Sequence, residues 1–337
     1  MWQGIEGHDE VVDRFRKTLR HGRLASTYLF VGPAGIGKRT FALRLAQSLL
    51  CGQVPDEQLT YCGECESCRL AAAGTHPDLL VAQLPEGKST LPIELFIGDR
   101  DHRHQTGLCH HFSLKPFLGN RRIAVIDDVD HFSQESANCL LKTLEEPPPD
   151  SLLILIGTSP SRQLLTIRSR AQLVHFSPLS QETFLRLAIA NGIVEDLAAA
   201  QRLAGISNGS LERARQLAAP ELWEFRGILS RYLDQPEIDA VGTAELVSDF
   251  VDKAGKEASA RRARLKTVLQ FAADFYREKM RNDHRVETIG QLDHCLKAAE
   301  YIDRNANQAT LIQWWTSQLG LHKSAPAHPA GEVARSC

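Results

Sequence analysis

A parallel α/β sheet domain followed by an all-helical C-terminal part is the fold class this sequence predicts. Three observations carry that reading. Strand and helix signals alternate through about residue 178, the pattern of a parallel sheet with helices on both faces. A glycine turn joins a short apolar run to a helix-period segment between residues 28 and 49. Beyond Pro178 the apolar residues recur only at helical spacing. At 337 residues two or three domains are expected, and 43% hydrophobic content suffices for ordinary cores.

The elements follow in order. Tyr28-Leu29-Phe30-Val31 reads as a buried strand, and Phe41, Leu45 and Leu49 mark the helix after the glycine turn. Arg122-Ile123-Ala124-Val125-Ile126 is a second apolar strand, and Leu152-Leu153-Ile154-Leu155-Ile156-Gly157 a third. The stretch from Pro85 to Gly107, rich in charge and histidine, reads as loop. Ser177-Pro178 marks a hinge, Ser180 caps a helix, and a small helical segment at 179–217 follows. Over 218–322 two apolar stripes appear, Leu265, Val268, Leu269, Ala272 and Phe275, then Leu292, Cys295, Leu296 and Ala299. Trp314-Trp315 suits either a core or an interface. The tail at 323–337, with its Pro, Ala and Gly, is expected to be disordered.

The glycine turn is Gly32-Pro33-Ala34-Gly35-Ile36-Gly37-Lys38-Arg39-Thr40, a phosphate loop. Its glycines, Gly32, Gly35 and Gly37, let successive N–H groups point at phosphate oxygens, the helix N-terminus adds partial positive charge, and Lys38 can reach the outer phosphates. ATP with Mg2+ is the cofactor such a loop takes. The residue after the lysine should be Ser or Thr to hold magnesium; here it is Arg39, which cannot coordinate a cation, with Thr40 one place late. Asp127 sits where a carboxylate would hold the metal, and Asp128 where a longer glutamate would orient the attacking water. A misplacement of about 1 Å at such a group can cost on the order of a hundredfold in rate. Thr158 and Ser159, at the third strand's end, suit either phosphate sensing or a plain turn. Arg170, in Thr166-Ile167-Arg168-Ser169-Arg170, suits either a solvated surface or a finger reaching a phosphate on a neighbouring subunit.

Cys62, Cys65 and Cys68 form two overlapping C-x-x-C bites, and Cys51 closes a fourth corner. Four thiolates suit a structural Zn2+, with no open position for a substrate. Eight cysteines in 337 residues is not disulfide density, and without a signal peptide a reducing, cytoplasmic compartment is expected, where such a cluster binds metal. His102, His104, His110 and His111 lack regular spacing to other ligands. The net charge of −2 excludes a stand-alone polyanion binder, although Arg14, Arg16, Lys17, Arg20 and Arg23 crowd one segment. No apolar run approaches the ~20 residues needed to span a bilayer.

Taken together, Gly32 to Thr40, the cysteine cluster, Ser113-Leu114-Lys115-Pro116, Asp127 to Asp130, Asn138 to Pro148 and Thr166 to Arg170 resemble the bacterial clamp-loader AAA+ family of the DNA polymerase III holoenzyme. Within it, the delta prime type is the nearest and tau/gamma is related; the resemblance covers about residues 1–320. It implies an AAA+ nucleotide-binding domain at 1–178 with a zinc module at 51–68, a helical lid at 179–217 and a helical oligomerisation collar at 218–322. It implies a pentameric ring with delta and tau/gamma subunits, loading a sliding clamp onto primer-template DNA, with no membrane. Arg170 would then act in trans, and Arg213 in Gly209-Ser210-Leu211-Glu212-Arg213 would correspond to a second phosphate sensor displaced by one residue. Departures at Arg39, Asp128 and Glu212 fall on the chain's own pocket, and Ala171 stands where the family has a cysteine after the serine-arginine pair; with Arg170 kept, the resemblance implies a stator that lends its arginine. The alternatives are an active tau/gamma-type ATPase, against which stand Arg39, Asp128 and the lack of a long C-terminal extension, and an AAA+ ATPase of another DNA pathway.

Overall fold

The computed structural model describes residues 1–283, 286–304 and 306–321. The stretch 323–337, expected to be disordered, lies outside the described residues. Two compact units divide the chain, Met1–Ala218 and Ala219–Cys337.

In the first unit the described strands form one parallel sheet in the order β2-β3-β4-β1-β5: β1 Thr27–Val31, β2 Leu79–Ala82, β3 Arg122–Ile126, β4 Ser151–Gly157 and β5 Gln172–His175. Register runs Thr27 to Val31 against Leu153 to Gly157, and Ile123 to Ile126 against Leu152 to Leu155. Strands β1 and β3 are buried at every position, as continuous apolar runs in a covered parallel sheet should be. One face packs Phe15, Phe41 and Leu45 over Tyr28, Phe30 and Ile154; the other packs Phe96, Phe112 and Leu140 over Leu29, Ala124 and Leu155. A buried charge cluster holds the lower end of β3. Asp78 accepts from the amides of Phe117 (2.7 Å), Leu118 (2.7 Å) and Gly119 (3.1 Å) and from Arg122 (2.9 Å). Burial alone would raise the Asp78 carboxyl, but the amides of Leu118, Phe117 and Gly119, with Arg122, bring it below the ordinary carboxylate range.

One sequence expectation is overturned in this unit, and two strands were not expected. Residues 85–107 are not simply loop: Glu94–Ile97 is a helical turn whose Phe96 and Ile97 are buried, as is Leu91 just before it. A long charged stretch hid three short anchors that have no periodicity of their own. The strands β2 and β5 carried no clear signal, being four-residue edges that are only partly buried.

The helices Gln181–Ala190, Leu197–Ser207 and Leu211–Leu217 complete the first unit, capped by Ser180, Asp196 and Ser210, whose side chains accept from the amides of Thr183, Ala199 and Arg213.

The second unit is helical throughout its described residues: Pro220–Leu233, Ala240–Asp252, Ala258–Asp283, Val286–Asp303 and Gln308–Leu321. Leu265, Val268, Leu269 and Ala272 are buried as the first stripe requires, with Phe275 half-buried. The second stripe is rotated from the expected one. Cys295 and Ala298 face inward with Thr288, Gln291 and Ile302, while Leu296 is exposed, because the sequence pattern gave no weight to the buried polar pair. Trp315 is fully buried and its indole N–H points at Cys295 Sγ, 3.4 Å away; Trp314 is half-buried. Phe225 stacks on Phe250 at 3.7 Å. No helix among the described residues is long and apolar enough to cross a membrane.

Candidate nucleotide pocket and metal centre

The C-terminal ends of β1, β3 and β4 open into one cavity of about 600 Å³, the place where parallel α/β sheets take ligands. Its wall includes Gly35, Gly37, Lys38, Arg39, Thr40, Asp127, Asp128, Asp130 and Thr158. Thus most of the residues picked for phosphate chemistry converge, although β1, β3 and β4 lie far apart in sequence.

Glycine is required in the loop for stated reasons. Gly35 (φ +71) and Gly37 (φ +98) lie in the left-handed region, and Gly37 caps the helix Lys38–Leu50. A side chain at Gly32 would stand 2.3 Å from the carbonyl oxygen of Phe176. A Cβ at Gly35 would meet Ser210 Oγ at 2.4 Å and Glu212 Cβ at 2.6 Å, so the loop tip lies directly against the first turn of Leu211–Leu217. His8, buried beside the loop, holds Ile36 O at 2.7 Å; a carbonyl only accepts, so its Nε2 carries the hydrogen.

The charged side chains of the phosphate motifs already have internal partners. Lys38 Nζ donates to Gly32 O (2.7 Å) and Pro33 O (2.6 Å), and burial lowers its pKa against the pull of Asp127, Asp130 and Asp128. Arg39 Nε lies 3.9 Å from Asp127 Oδ2. Burial, then the charge of Asp128, raise the Asp127 carboxyl, with the Asp128 amide, Arg39 and Lys38 opposing. Asp128 adopts a left-handed backbone (φ +57), and its Oδ2 accepts weakly from Leu84 N at 3.4 Å. Thr158 does not present a free hydroxyl: its N and Oγ1 both donate to Asp130 Oδ2, at 2.8 and 2.6 Å, and Gln163 donates to Asp130 Oδ1. The bond between Asp130 and Gln163 is one that the sequence did not reveal. Asp130 stood in plain view as the last of an acidic trio, but Gln163 belongs to no motif and meets it only through folding.

The same holds at the pocket's far wall. Glu6 lines the cavity and is ion-paired with Arg186, which keeps its carboxyl below the ordinary range. From Leu211–Leu217 the lining residues are Leu211, Glu212 and Arg215. Arg213, the expected sensor, lies outside that lining, one residue round the helix from Glu212; its amide is held by Ser210 Oγ at 3.1 Å. Arg170 stands apart from the cavity, at the end of Leu165–Arg168. Its Nη2 donates to Glu145 at 2.8 Å and its Nη1 to Thr166 O and Ser169 Oγ, leaving a side chain about one-third exposed.

The residues present fit a nucleotide phosphate but not the magnesium that accompanies it. Loop amides, Lys38 and a helix N-terminus face the cavity. The position after Lys38 offers a guanidinium in place of a hydroxyl, and Asp127, the remaining ligand, is paired with that guanidinium.

The cysteine cluster is of the other kind. The sulfurs of Cys51, Cys62, Cys65 and Cys68 lie within 4.8 Å of one another. Cys51 and Cys62 are 3.7 Å apart, and Cys62 and Cys68 3.9 Å. Four zinc–sulfur bonds of ~2.3 Å at tetrahedral angles would set such separations near 3.8 Å. Backbone N–H groups of Cys62, Cys65 and Cys68 point at the sulfurs of Cys51, Cys62 and Cys65, at 3.5, 3.3 and 3.4 Å, which suits thiolates. Such amides draw the Cys62 thiol down to about 6, whereas burial pushes Cys68 up to about 12. Among the described residues no other group of this type could hold a metal, and the histidines at 102, 104, 110 and 111 form none. His102 instead pairs with Asp99 at 2.9 Å.

Comparison with known proteins agrees with this geometry. The family described as DNA polymerase III, delta subunit, matches residues 7–180, and the chain belongs to it. The chain is 36% identical over 203 residues to DNA polymerase III subunit delta' of Pseudomonas aeruginosa, covering 60% of this chain and 58% of that protein. It is 32% identical over 209 residues to the Bacillus subtilis delta', covering 62% and 59% respectively. Against the tau/gamma subunit of Haemophilus influenzae it is 33% identical over 178 residues, 52% of this chain and 24% of that one. The matched region spans less than two thirds of the length of these relatives.

Proposed function

We propose, from membership of this family, that the chain is a delta prime-like clamp-loader subunit that serves DNA replication as a stator. It would complete a ring with delta and tau/gamma subunits, and it helps load a sliding clamp onto primed DNA. Its own phosphate loop holds nucleotide weakly or not at all and does not turn it over, and its contribution to hydrolysis is Arg170, offered to the ATP site of a neighbour.

One contrast carries this reading. Inside the pocket the charged groups of the phosphate motifs are matched by groups of the same chain: Lys38 by the loop carbonyls, Arg39 by Asp127, and Asp130 by Thr158 and Gln163. Arg170 lies outside the cavity, and its one ionic partner is Glu145, a residue about half exposed, through a contact that a phosphate could displace; its other bonds go to Thr166 O and Ser169 Oγ of its own turn. Guanidinium donors in a fixed fork suit a phosphoryl group, and such an arginine can contribute ~10³–10⁵ in rate. The lid at 179–217 and the collar at 218–322 are part of the same proposal.

The test is turnover by the reconstituted ring. Arg170→Ala should lower ATP turnover by at least roughly tenfold while the ring still assembles, as removal of an arginine finger does. An unchanged rate removes the finger assignment. Robust turnover by the isolated chain would instead identify a motor subunit of the tau/gamma type.

A further inference from the structure

The misfit at Arg39 points beyond inactivity to the form in which nucleotide is held. Magnesium in such pockets is octahedral, at about 2.0–2.1 Å from oxygen, held by one or two carboxylates, phosphate oxygens and waters. The chain removes those conditions one by one. The hydroxyl that should follow Lys38 is replaced by Arg39, which has five donors, no acceptor and a permanent charge. Thr40, the next hydroxyl, stands about 100° further round the helix. Asp127 has its Oδ2 at 3.9 Å from Arg39 Nε and its Oδ1 accepting from the Asp128 amide at 2.9 Å. Asp130 is consumed by Thr158 and Gln163. Arg39 nevertheless lines the cavity alongside Gly35, Gly37 and Lys38, so its charge is placed where the cation's would be needed.

We propose that Arg39 substitutes for the divalent cation: the pocket takes a nucleoside triphosphate free of magnesium, its phosphates neutralised by Lys38, Arg39 and the loop amides. This rests on the reading of the cavity as a nucleotide site, and it specifies the ligand. Metal-complexed ATP would bring a second positive centre against the guanidinium and is disfavoured. Silent binding follows, since no metal is present to bridge phosphate oxygens as they are displaced.

The experiment is calorimetric titration of the full chain with ATP, once with EDTA and once with excess magnesium. Affinity should be as tight or tighter in EDTA. In Arg39→Thr the order should reverse, magnesium then strengthening binding by roughly tenfold, or ~1.4 kcal/mol. Electron paramagnetic resonance with manganese and ATP supplies a check on the unaltered protein: the spectrum should contain free and ATP-bound manganese only. Tighter binding with magnesium, or a protein-bound manganese signal, overturns the inference and leaves the nucleotide site standing. Heat of binding in neither buffer overturns the site itself, and the inference with it.

Discussion

The cysteine cluster and the phosphate pocket are both built from motif residues, yet they are finished in opposite ways. At Cys51, Cys62, Cys65 and Cys68 the side chains point at a common centre and the backbone supports them. Around Lys38 the backbone is ready, but the side chains point at one another. A motif thus specifies a backbone trace more securely than it specifies a vacancy for a ligand. What decides occupancy is whether the polar groups have been left for the ligand to satisfy.

The largest effect expected is on the metal side. Structural zinc contributes ~10–16 kcal/mol in small metal-folded peptides, so removing it should release most of residues 51–72. Elemental analysis should return about one zinc per chain. Chelation or Cys68→Ala should abolish hydrogen-exchange protection of the helix Glu66–Ala72. Full protection in the metal-free protein would erase the contrast, since the cluster would then be as self-sufficient as the pocket.

A smaller effect separates a charge that holds the fold from the charges of the pocket. Asp78 is fully buried and saturated, so Asp78→Ala should cost ~3–5 kcal/mol in urea unfolding by stranding Arg122. Because the folded Asp78 pKa is lowered, its contribution is present above the ordinary carboxylate range and is lost as pH falls through the folded value. The stability gap between wild type and Asp78→Asn should therefore shrink on acidification. A constant gap would mean that shape, not charge, holds the turn at Phe117–Gly119.

The smallest effect belongs to Asp127. Its pKa is raised, chiefly by burial and then by Asp128, so the fold disfavours the ionised form. Asp127→Asn should leave stability unchanged or slightly higher, read by thermal melting at neutral pH. A clear loss would make the Arg39 pair a structural bond and sharpen the case that the pocket is closed to metal.

Much of this was legible in the sequence, and the limits have physical causes. Buried strands such as β3 announce themselves as continuous apolar runs, whereas the edges β2 and β5 do not. The four cysteines were readable because short bites fix their geometry locally. Thr158 was readable as a cavity residue but not as the partner of Asp130, because that bond spans 28 residues and depends on β3 lying beside β4. Arg213 was chosen by its place in a motif, yet Arg215 is the arginine of that helix that lines the cavity, because a helix turns about 100° per residue and a count of letters ignores that rotation.

Gly35 leaves no room for a side chain. With Ser210 and Glu212 standing where its side chain would be, the loop tip and the capped helix beyond it share a spacing set by the width of one hydrogen atom. A ligand that lifted the loop tip would therefore press first on Ser210 and Glu212 at the start of that helix. A probe placed on Leu211–Leu217 would register events at Lys38 without touching the pocket.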